Sequence, residues 1–338
     1  MYILAFETSC DDTSIAIFED DKLIAMDTDS QISIHNKTGW VVPEVAAREH
    51  ANNIFRVLTN VLKHANLTLD KIDYIWVTIN PGLLPSLLTG TTVAWTISTV
   101  LNKKIIPINH IEAHIFSNFL EREEKEIEFP LVCLTVSWGH NDIYHMKSMF
   151  DIEKLWASLD DAGWEAFDKA AKMMWLEYPG WPVISRLSEE YEKEWWKSTG
   201  LFPRVWLVKR EMNFSFSGLK SSVKREVDKR KEENWKITLD DQKEISFEFE
   251  NAVTEVMAWK IIEAAKQKWV KTVMLAGWVS ANNKLKEVIS KLAKKERLNF
   301  IFPTKNVYCM DNAAMVGINT YYKIKYGEFE EKIWIVKM

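Results

Sequence analysis

Glycine is scarce in this chain of 338 residues: 11 are present, where average usage of about 7% predicts roughly 24. Cysteine is scarcer. Three residues without paired spacing, Cys10, Cys133 and Cys309, speak against a disulfide framework and for a reducing, cytoplasmic setting. Positive charge does not prevail either, since 43 Lys and Arg face 48 Asp and Glu for a net charge of −5. Global charge therefore gives no steering toward nucleic acid. We read no uncharged apolar run approaching the ~18 residues of a membrane span, so no membrane partner is expected. The start, with acids at Glu7, Asp11 and Asp12, does not read as a secretory leader. A G-x-x-x-x-G-K-[ST] phosphate loop is also missing, so any ATP-driven step must come from another chain.

Tryptophan is in excess, at 16 residues. Several stand beside glycine or at turn-like places: Gly39-Trp40, Trp138-Gly139, Gly163-Trp164, Gly180-Trp181 and Gly277-Trp278. An indole suits a core or an interface and fits poorly where a turn needs positive φ. Otherwise the composition is ordinary for a globular chain, with 47% hydrophobic and 27% charged residues, and the length suggests two domains. The basic runs Lys220–Lys231 and Lys291–Arg297 read as solvated helix faces.

The first 28 residues read as a β-meander of strands Tyr2–Glu7, Thr13–Phe18 and Leu23–Thr28. Pro43 then opens a helix to about Ala65, with apolar positions at helical spacing. A strand Asp73–Thr78, a helix from about Ser86 to Leu101 and a strand Ile105–Ile108 follow. A second meander begins at Pro130–Ser137, returns through Asp142–Met149 and ends with Ile152–Ser158. The strand Thr272–Ala276 and a helix come later. Two meander-plus-helix halves predict a duplicated α/β fold binding its ligand in the cleft between halves. Ser188–Asn213 reads as a charged, irregular insertion.

His110 and His114 are four apart, so on a helix both imidazoles share a face and can reach one metal ion. Two helix-face histidines making ordinary hydrogen bonds are the competing reading. A zinc peptidase would need Glu directly after the first histidine, where Ile111 stands, and Glu112 projects away. Asp311, in MDNAAM, is a candidate third ligand, or else an N-cap. Four loops could hold a nucleotide-like substrate: Asp11–Thr13, Ser137–His140, Asp160–Asp168 and Gly277–Asn282. Asp168 reads equally as a surface carboxylate on a helix.

The ordered motifs ETSCDDTSIAI, VVPEVAAREH, NPGLLPSLLTG, NHIEAH, VSWGH, EAFDKAAKM, YPGWP, FSFSGLK, AGWVSAN and DNAAM resemble the bacterial-type tRNA threonylcarbamoyladenosine synthase subunit family, once misnamed a glycoprotease. The resemblance spans about residues 1–325. It implies a duplicated actin/sugar-kinase-like (ASKHA, RNase H-like) two-lobe α/β fold, with one lobe at 1–115 plus about 312–338 and the other at 116–311. It also implies transfer of a threonylcarbamoyl group from its AMP anhydride to N6 of adenosine 37, in tRNAs reading ANN codons. Carried over by position, His110, His114 and Asp311 bind one divalent metal per subunit, Fe(2+) in this family with Zn as the alternative. Thr135, Val136, Ser137, Trp138, Gly139, Asp168, Trp181 and Asn282 contact threonylcarbamoyl-AMP, and Asp11 is the acidic catalytic candidate. The partners implied are tRNA, a shorter paralogue (TsaB-like) and a small P-loop ATPase (TsaE-like). We expect the paralogue to pair with the helices around Pro43–Lys63 and Ser86–Leu101, whose outward faces carry apolar residues such as Ile54, Leu58, Leu87 and Ile97; some of these must instead be core, and sequence alone does not apportion them.

The chain departs from the resemblance in one systematic way, with Trp at positions 40, 138, 156, 164, 175, 181, 269 and 278 where the family typically has Gly. A gene that uses UGA for glycine, translated as if UGA meant Trp, accounts for all eight together. Ser185 stands where many relatives have Asp, and Thr135 where archaeal relatives place a metal-binding Tyr. Two other functions compete: a non-catalytic scaffold paralogue, and an ATP-dependent phosphotransferase of the same fold, which would not need the histidine pair.

Overall fold

The computed structural model describes the chain except residues 138–139, 196–197, 205–211 and 330–338, and only the backbone of residues 140 and 234. The elements, in chain order, are β1 (Tyr2–Glu7), β2 (Asp12–Glu19), β3 (Lys22–Ser30), α1 (Ile32–His35), α2 (Pro43–Ala65), β4 (Tyr74–Asn80), α3 (Leu84–Leu101), β5 (Lys104–Asn109) and α4 (His110–Phe116). After them come β6 (Leu131–Ser137), β7 (His140–Met146), β8 (Ile152–Trp156), α5 (Gly163–Met173), α6 (Gly180–Trp195), α7 (Ser217–Asn234), α8 (Leu239–Lys268), β9 (Thr272–Ala276), α9 (Asn283–Glu296), β10 (Asn299–Ile301) and α10 (Ala313–Tyr326).

These elements form two units, Met1–Glu126 with Pro303–Met338, and Ile127–Phe302. The first unit's sheet has the order β3-β2-β1-β4-β5, and the second's, counted from its β8 edge, is β8-β7-β6-β9-β10. In each, the first three strands in sequence are antiparallel and the last two are added parallel to the first. One topology is thus used twice, as a duplicated ASKHA-type α/β fold requires. The central strands β1 and β6 read as nearly unbroken apolar runs because neighbouring strands and helices cover them. The first unit keeps residues 116–126 and 303–311 because they hold each other: Glu121 accepts from Lys305 at 2.5 Å and from Tyr308 at 2.9 Å. Asp311 therefore shares a unit with His110 and His114.

Helix α2 starts with Pro43 at its first position and ends at Asn66 in the left-handed conformation, the usual punctuation for each end. Its buried stripe is Ala46, His50, Ile54, Val57, Leu58 and Val61. The structure apportions the four candidates for the outward face: Ile54, Leu58, Leu87 and Ile97 are all core. The exposed apolar side chains of α2 and α3 are Phe55, Leu84, Leu88, Trp95 and Val100. Helix α3 corrects an expectation. Its 18 residues carry no charge, so it is long and apolar enough to cross a membrane by length and composition. Threonines disguise it in the sequence, and four of them, Thr89, Thr91, Thr96 and Thr99, return their hydroxyls to carbonyls one turn back. The expected irregular insertion also begins as helix, because α6 runs to Trp195 with Ile184, Leu187 and Ser188 buried. Beyond it, Glu248 of α8 accepts from Thr199 N at 2.5 Å, Ser198 Oγ at 2.9 Å and Leu201 N at 3.3 Å. Residues 205–211 lie outside the described residues.

Tryptophans occupy backbone that glycine favours. Trp175, Trp235 and Trp269 have φ of 56°, 63° and 57°. Trp235 and Trp269 cap α7 and α8 while 96% and 91% exposed. Positions 175 and 269 are among the eight where the resemblance puts glycine, and the backbone adds 235. A left-handed bulky residue costs roughly 1–2 kcal/mol, and an exposed indole gains little burial in return. Trp235→Gly and Trp269→Gly are each expected to raise unfolding free energy by about 1 kcal/mol, read from denaturant midpoints. Unchanged or lower midpoints would show that the indoles carry contacts of their own.

Candidate metal centre and substrate-binding residues

Strand β5 runs straight into α4, and Asn109 makes the junction by accepting from Ile111 N at 2.9 Å and Glu112 N at 3.1 Å. His110 and His114 then fall one turn apart on the buried side of α4. Glu112 faces the other way and pairs with Lys323 of α10 at 2.9 Å. At the start of α10 the capping residue is Asn312, whose side chain accepts from Met315 N at 3.0 Å. Asp311 is thereby relieved of the capping role and turns its carboxylate to the histidines. Ser14 of β2 anchors this turn by accepting from Ala313 N at 2.9 Å.

The three side chains converge. His114 Nε2 lies 3.1 Å from His110 Nε2 and 3.0 Å from Asp311 Oδ1, and His110 Nε2 lies 3.5 Å from Asp311 Oδ1. All three residues are buried and form one group able to hold a metal ion. Edges of this length are what donors on a single ion present when the bonds are ~2.0–2.2 Å. Two imidazole nitrogens and a carboxylate oxygen suit iron or zinc better than magnesium or calcium. The donor set fits the metal.

Behind it stands Glu7, at the end of β1, which the sequence reading did not single out for this role. Glu7 is wholly buried, accepts from Thr78 Oγ1 at 2.6 Å and Ser9 N at 2.7 Å, and lies 3.2 Å from His110 Nδ1. A carboxylate behind a ligating histidine fixes the ring and aims its other nitrogen. The available signal was an acid ending a strand, YILAFE, that is otherwise apolar or aromatic: a buried charge needs a partner.

Electrostatics tie this group to the proton. Burial alone pushes His110 down, but the carboxylates of Asp311 and Glu7 outweigh it and raise the pKa to about 9. His114 is pushed down by burial and then by the His110 charge. Without metal, the His110 proton therefore stabilises the fold fully below the ordinary histidine pKa of ~6.5, and that contribution is lost as pH rises through about 9. A metal needs the unprotonated ring. Apparent metal affinity is accordingly expected to rise roughly tenfold per pH unit up to about 9 and then level off, measured by chelator competition. A flat profile from pH 7 to 9 would contradict this account.

Asp11 lies in the turn between β1 and β2 and is 5% exposed. Burial pushes its carboxyl above the usual range, against the Cys10 thiol that donates to it at 2.6 Å. Asp12 is pushed well up by burial and by Asp11.

The remaining candidates belong to the second unit. Thr135, Val136 and Ser137 form the end of β6 and are fully buried, whereas Trp138 and Gly139 lie outside the described residues. Beside them passes the turn after β9. Gly277 has φ 83°, and a Cβ there would meet Val136 O at 2.5 Å, so only glycine permits the approach. Asp168 of α5 accepts from Gly180 N at 2.6 Å and so fixes the start of α6, next to Trp181. Asn282 caps α9, accepting from Leu285 N at 2.7 Å and donating to Glu250 at 2.6 Å and to Ser185 Oγ at 2.9 Å. Asp168, Trp181 and Asn282 are therefore linked through α6. Glu250, 2% exposed and paired with both Asn282 and Ser185, was not anticipated; mid-helix in an unbroken α8, it gave no local signal.

Residues 22–318 match the profile of a family described as tRNA N6-adenosine threonylcarbamoyltransferase (TsaD). A protein of that name from Persephonella marina is 41% identical over 332 residues, covering 96% of this chain and 91% of the relative. Another, from Thermosipho africanus, is 40% identical over 97% of this chain and 96% of its own. Among solved structures, HypF of T. kodakarensis is similar with a TM-score of 0.59 at 13% identity, over 97% of this chain and 48% of that one. Component A of the Acidaminococcus fermentans (R)-2-hydroxyglutaryl-CoA dehydratase is similar with a TM-score of 0.53 at 13% identity, over 96% and 99%. These two similarities speak for the fold alone.

Proposed function

The chain belongs to the tRNA N6-adenosine threonylcarbamoyltransferase family, and from that membership we propose how its residues form threonylcarbamoyladenosine at position 37 of tRNA. The observation that carries the reading is the buried convergence of His110, His114 and Asp311 in a chain related to these transferases over nearly its whole length. The donor in this reading is threonylcarbamoyl-AMP, and the acceptor tRNAs read ANN codons.

The adenine N6 is a weak nucleophile, so the reaction needs placement, removal of a proton and a good leaving group. The bond formed joins N6 to the carbamoyl carbon. The bond broken joins that carbon to a phosphate oxygen, and AMP departs with the electron pair. Asp11 is the residue proposed to take or orient the N6 proton, and burial strengthens it as a base. His110, His114 and Asp311 would hold one divalent ion, iron in this proposal with zinc as the alternative. Bound there, the ion supplies Lewis-acid polarisation of a carbonyl or phosphoryl oxygen. Glu7 keeps the His110 ring aimed.

For the adenylate the reading uses Thr135, Val136, Ser137, Trp138, Gly139, Asp168, Trp181 and Asn282. The Asn282 amide is already occupied by Glu250, Ser185 and Leu285. Its part is therefore to set the start of α9 and the turn after Gly277, leaving backbone groups to meet the ligand. A paralogous subunit and a P-loop ATPase complete the cytoplasmic assembly in this proposal. The exposed Leu84, Leu88 and Trp95 on one side of the uncharged α3, with Phe55 on α2, are the surface it assigns to the paralogue.

The test is reconstitution with threonylcarbamoyl-AMP, an ANN-reading tRNA and the partner chains, followed by nucleoside analysis. Threonylcarbamoyladenosine at position 37 is expected. A chain that holds metal and partners yet leaves tRNA unmodified would refute the reading.

A further inference from the structure

The turn that carries Asp11 is held by a residue to which no role has been given. His50, on the buried stripe of α2, is wholly inaccessible to solvent. Its Nε2 lies 2.7 Å from the Cys10 carbonyl oxygen and its Nδ1 lies 2.7 Å from Thr13 Oγ1. A carbonyl oxygen only accepts, so Nε2 carries the ring proton. Nδ1 is then bare, and the Thr13 hydroxyl must donate to it. The partners settle the tautomer, and burial keeps the ring neutral by pushing its pKa down. One imidazole thus grips the residues on both sides of Asp11-Asp12. A second tie starts from the same helix: Ala46 O accepts from Gln31 Nε2 at 3.2 Å, and Gln31 N donates to Asp11 O at 3.0 Å.

We infer that His50 is a positioning residue for the transfer, fixing the Asp11 turn from α2 through the Cys10 carbonyl and the Thr13 hydroxyl. The inference rests on the reading of Asp11 as the group that takes or orients the N6 proton. A carboxylate displaced by about 1 Å costs on the order of 100-fold in rate, and the two bonds of His50 hold the turn on either side of Asp11 against that displacement, beside the Gln31 tie to the Asp11 carbonyl.

The test compares four variants of the full chain in the reconstituted complex: His50→Phe, His50→Gln, Thr13→Val and Asp11→Asn. His50→Phe keeps a ring and removes both bonds. It is expected to lower kcat roughly 100-fold while KM for tRNA and donor stays within about twofold and metal content stays at the wild-type level. His50→Gln can still donate toward the Cys10 carbonyl and is expected to recover about tenfold of that loss. Thr13→Val removes only the donor to Nδ1 and should lower kcat about tenfold with KM unchanged. If the His50→Phe chain does not fold, the Gln and Val variants decide. Wild-type kcat in the folded variants, or losses that follow metal content, would overturn the inference. Asp11→Asn separates it from its premise. Activity lost in Asp11→Asn but retained in His50→Phe sinks the role of His50 alone, whereas activity retained in Asp11→Asn sinks the Asp11 reading and the inference with it.

Discussion

Replacing His114 with Ala is expected to empty the metal centre and lower tRNA modification by roughly a thousandfold or more, the several kcal/mol that Lewis-acid assistance supplies. His110→Ala should do the same. Both histidines are fully buried, so each truncation also leaves a cavity and uncompensated carboxylates, and a stability loss of about 2–4 kcal/mol accompanies it. Asp311→Asn separates the two effects because it keeps the side-chain volume while removing the anionic ligand. Its activity should fall as far, with a much smaller shift in melting temperature. Chelating the metal from the wild-type chain should leave the fold standing. The elements around the site have packing of their own, with Phe116 and Phe119 ring centroids 6.1 and 5.0 Å from that of Tyr322 on α10. Atomic absorption, circular dichroism and nucleoside analysis on the same samples check this. A chain that unfolds on chelation would make the metal structural.

The second large effect concerns the surface of α2 and α3. Phe55 on α2 is 62% exposed, and Leu88 on the uncharged α3 is 48% exposed. In the proposed reading these exposed apolar side chains belong to the surface that meets the paralogue. The double substitution Phe55→Glu with Leu88→Glu is expected to weaken binding of the paralogous subunit about a thousandfold, as two interface anchors worth ~2 kcal/mol each would. Multiple-turnover modification should fail with it, while metal content and melting temperature hold. Size-exclusion chromatography with the partner and a turnover assay read both outcomes. Full turnover by this chain alone, given adenylate and tRNA, would refute the dependence on partners.

Much of this architecture could be read along the chain, for a physical reason. The first meander announces itself through the polar turn at Asp11-Asp12 between apolar runs, the second through the apolar run Leu131–Ser137 and its return strand, and α2 through Pro43 and its apolar spacing. The histidine pair was legible because spacing on a helix fixes which side chains share a face. Its third ligand needed the fold, since nothing local to Asp311 decides between capping a helix and holding an ion. The capping bond goes to Asn312, which leaves the Asp311 carboxylate available to the group that could hold an ion. The outward face of α2 was not legible because Ile54 and Leu58 look alike exposed or buried, and only packing in the first unit's core sorts them from Phe55. Glu7, His50 and Glu250 were hidden for a related reason. A buried polar residue is identified by what it touches, and their partners are 103, 40 and 32 residues away.

The first unit is interrupted: residues 127–302 are inserted before Asp311 and α10 complete it. During synthesis His110 and His114 leave the ribosome long before their third ligand. The inserted unit is contiguous in the chain and has its whole sheet by residue 301, so it can finish folding while the first still lacks α10. The group of His110, His114 and Asp311 that could hold a metal is therefore complete only in the last moments of the chain's manufacture. In the proposed reading, a chain that stops before Asp311 would carry the adenylate-side residues of the second unit without a complete ligand set, a fragment that could occupy donor without ever spending it.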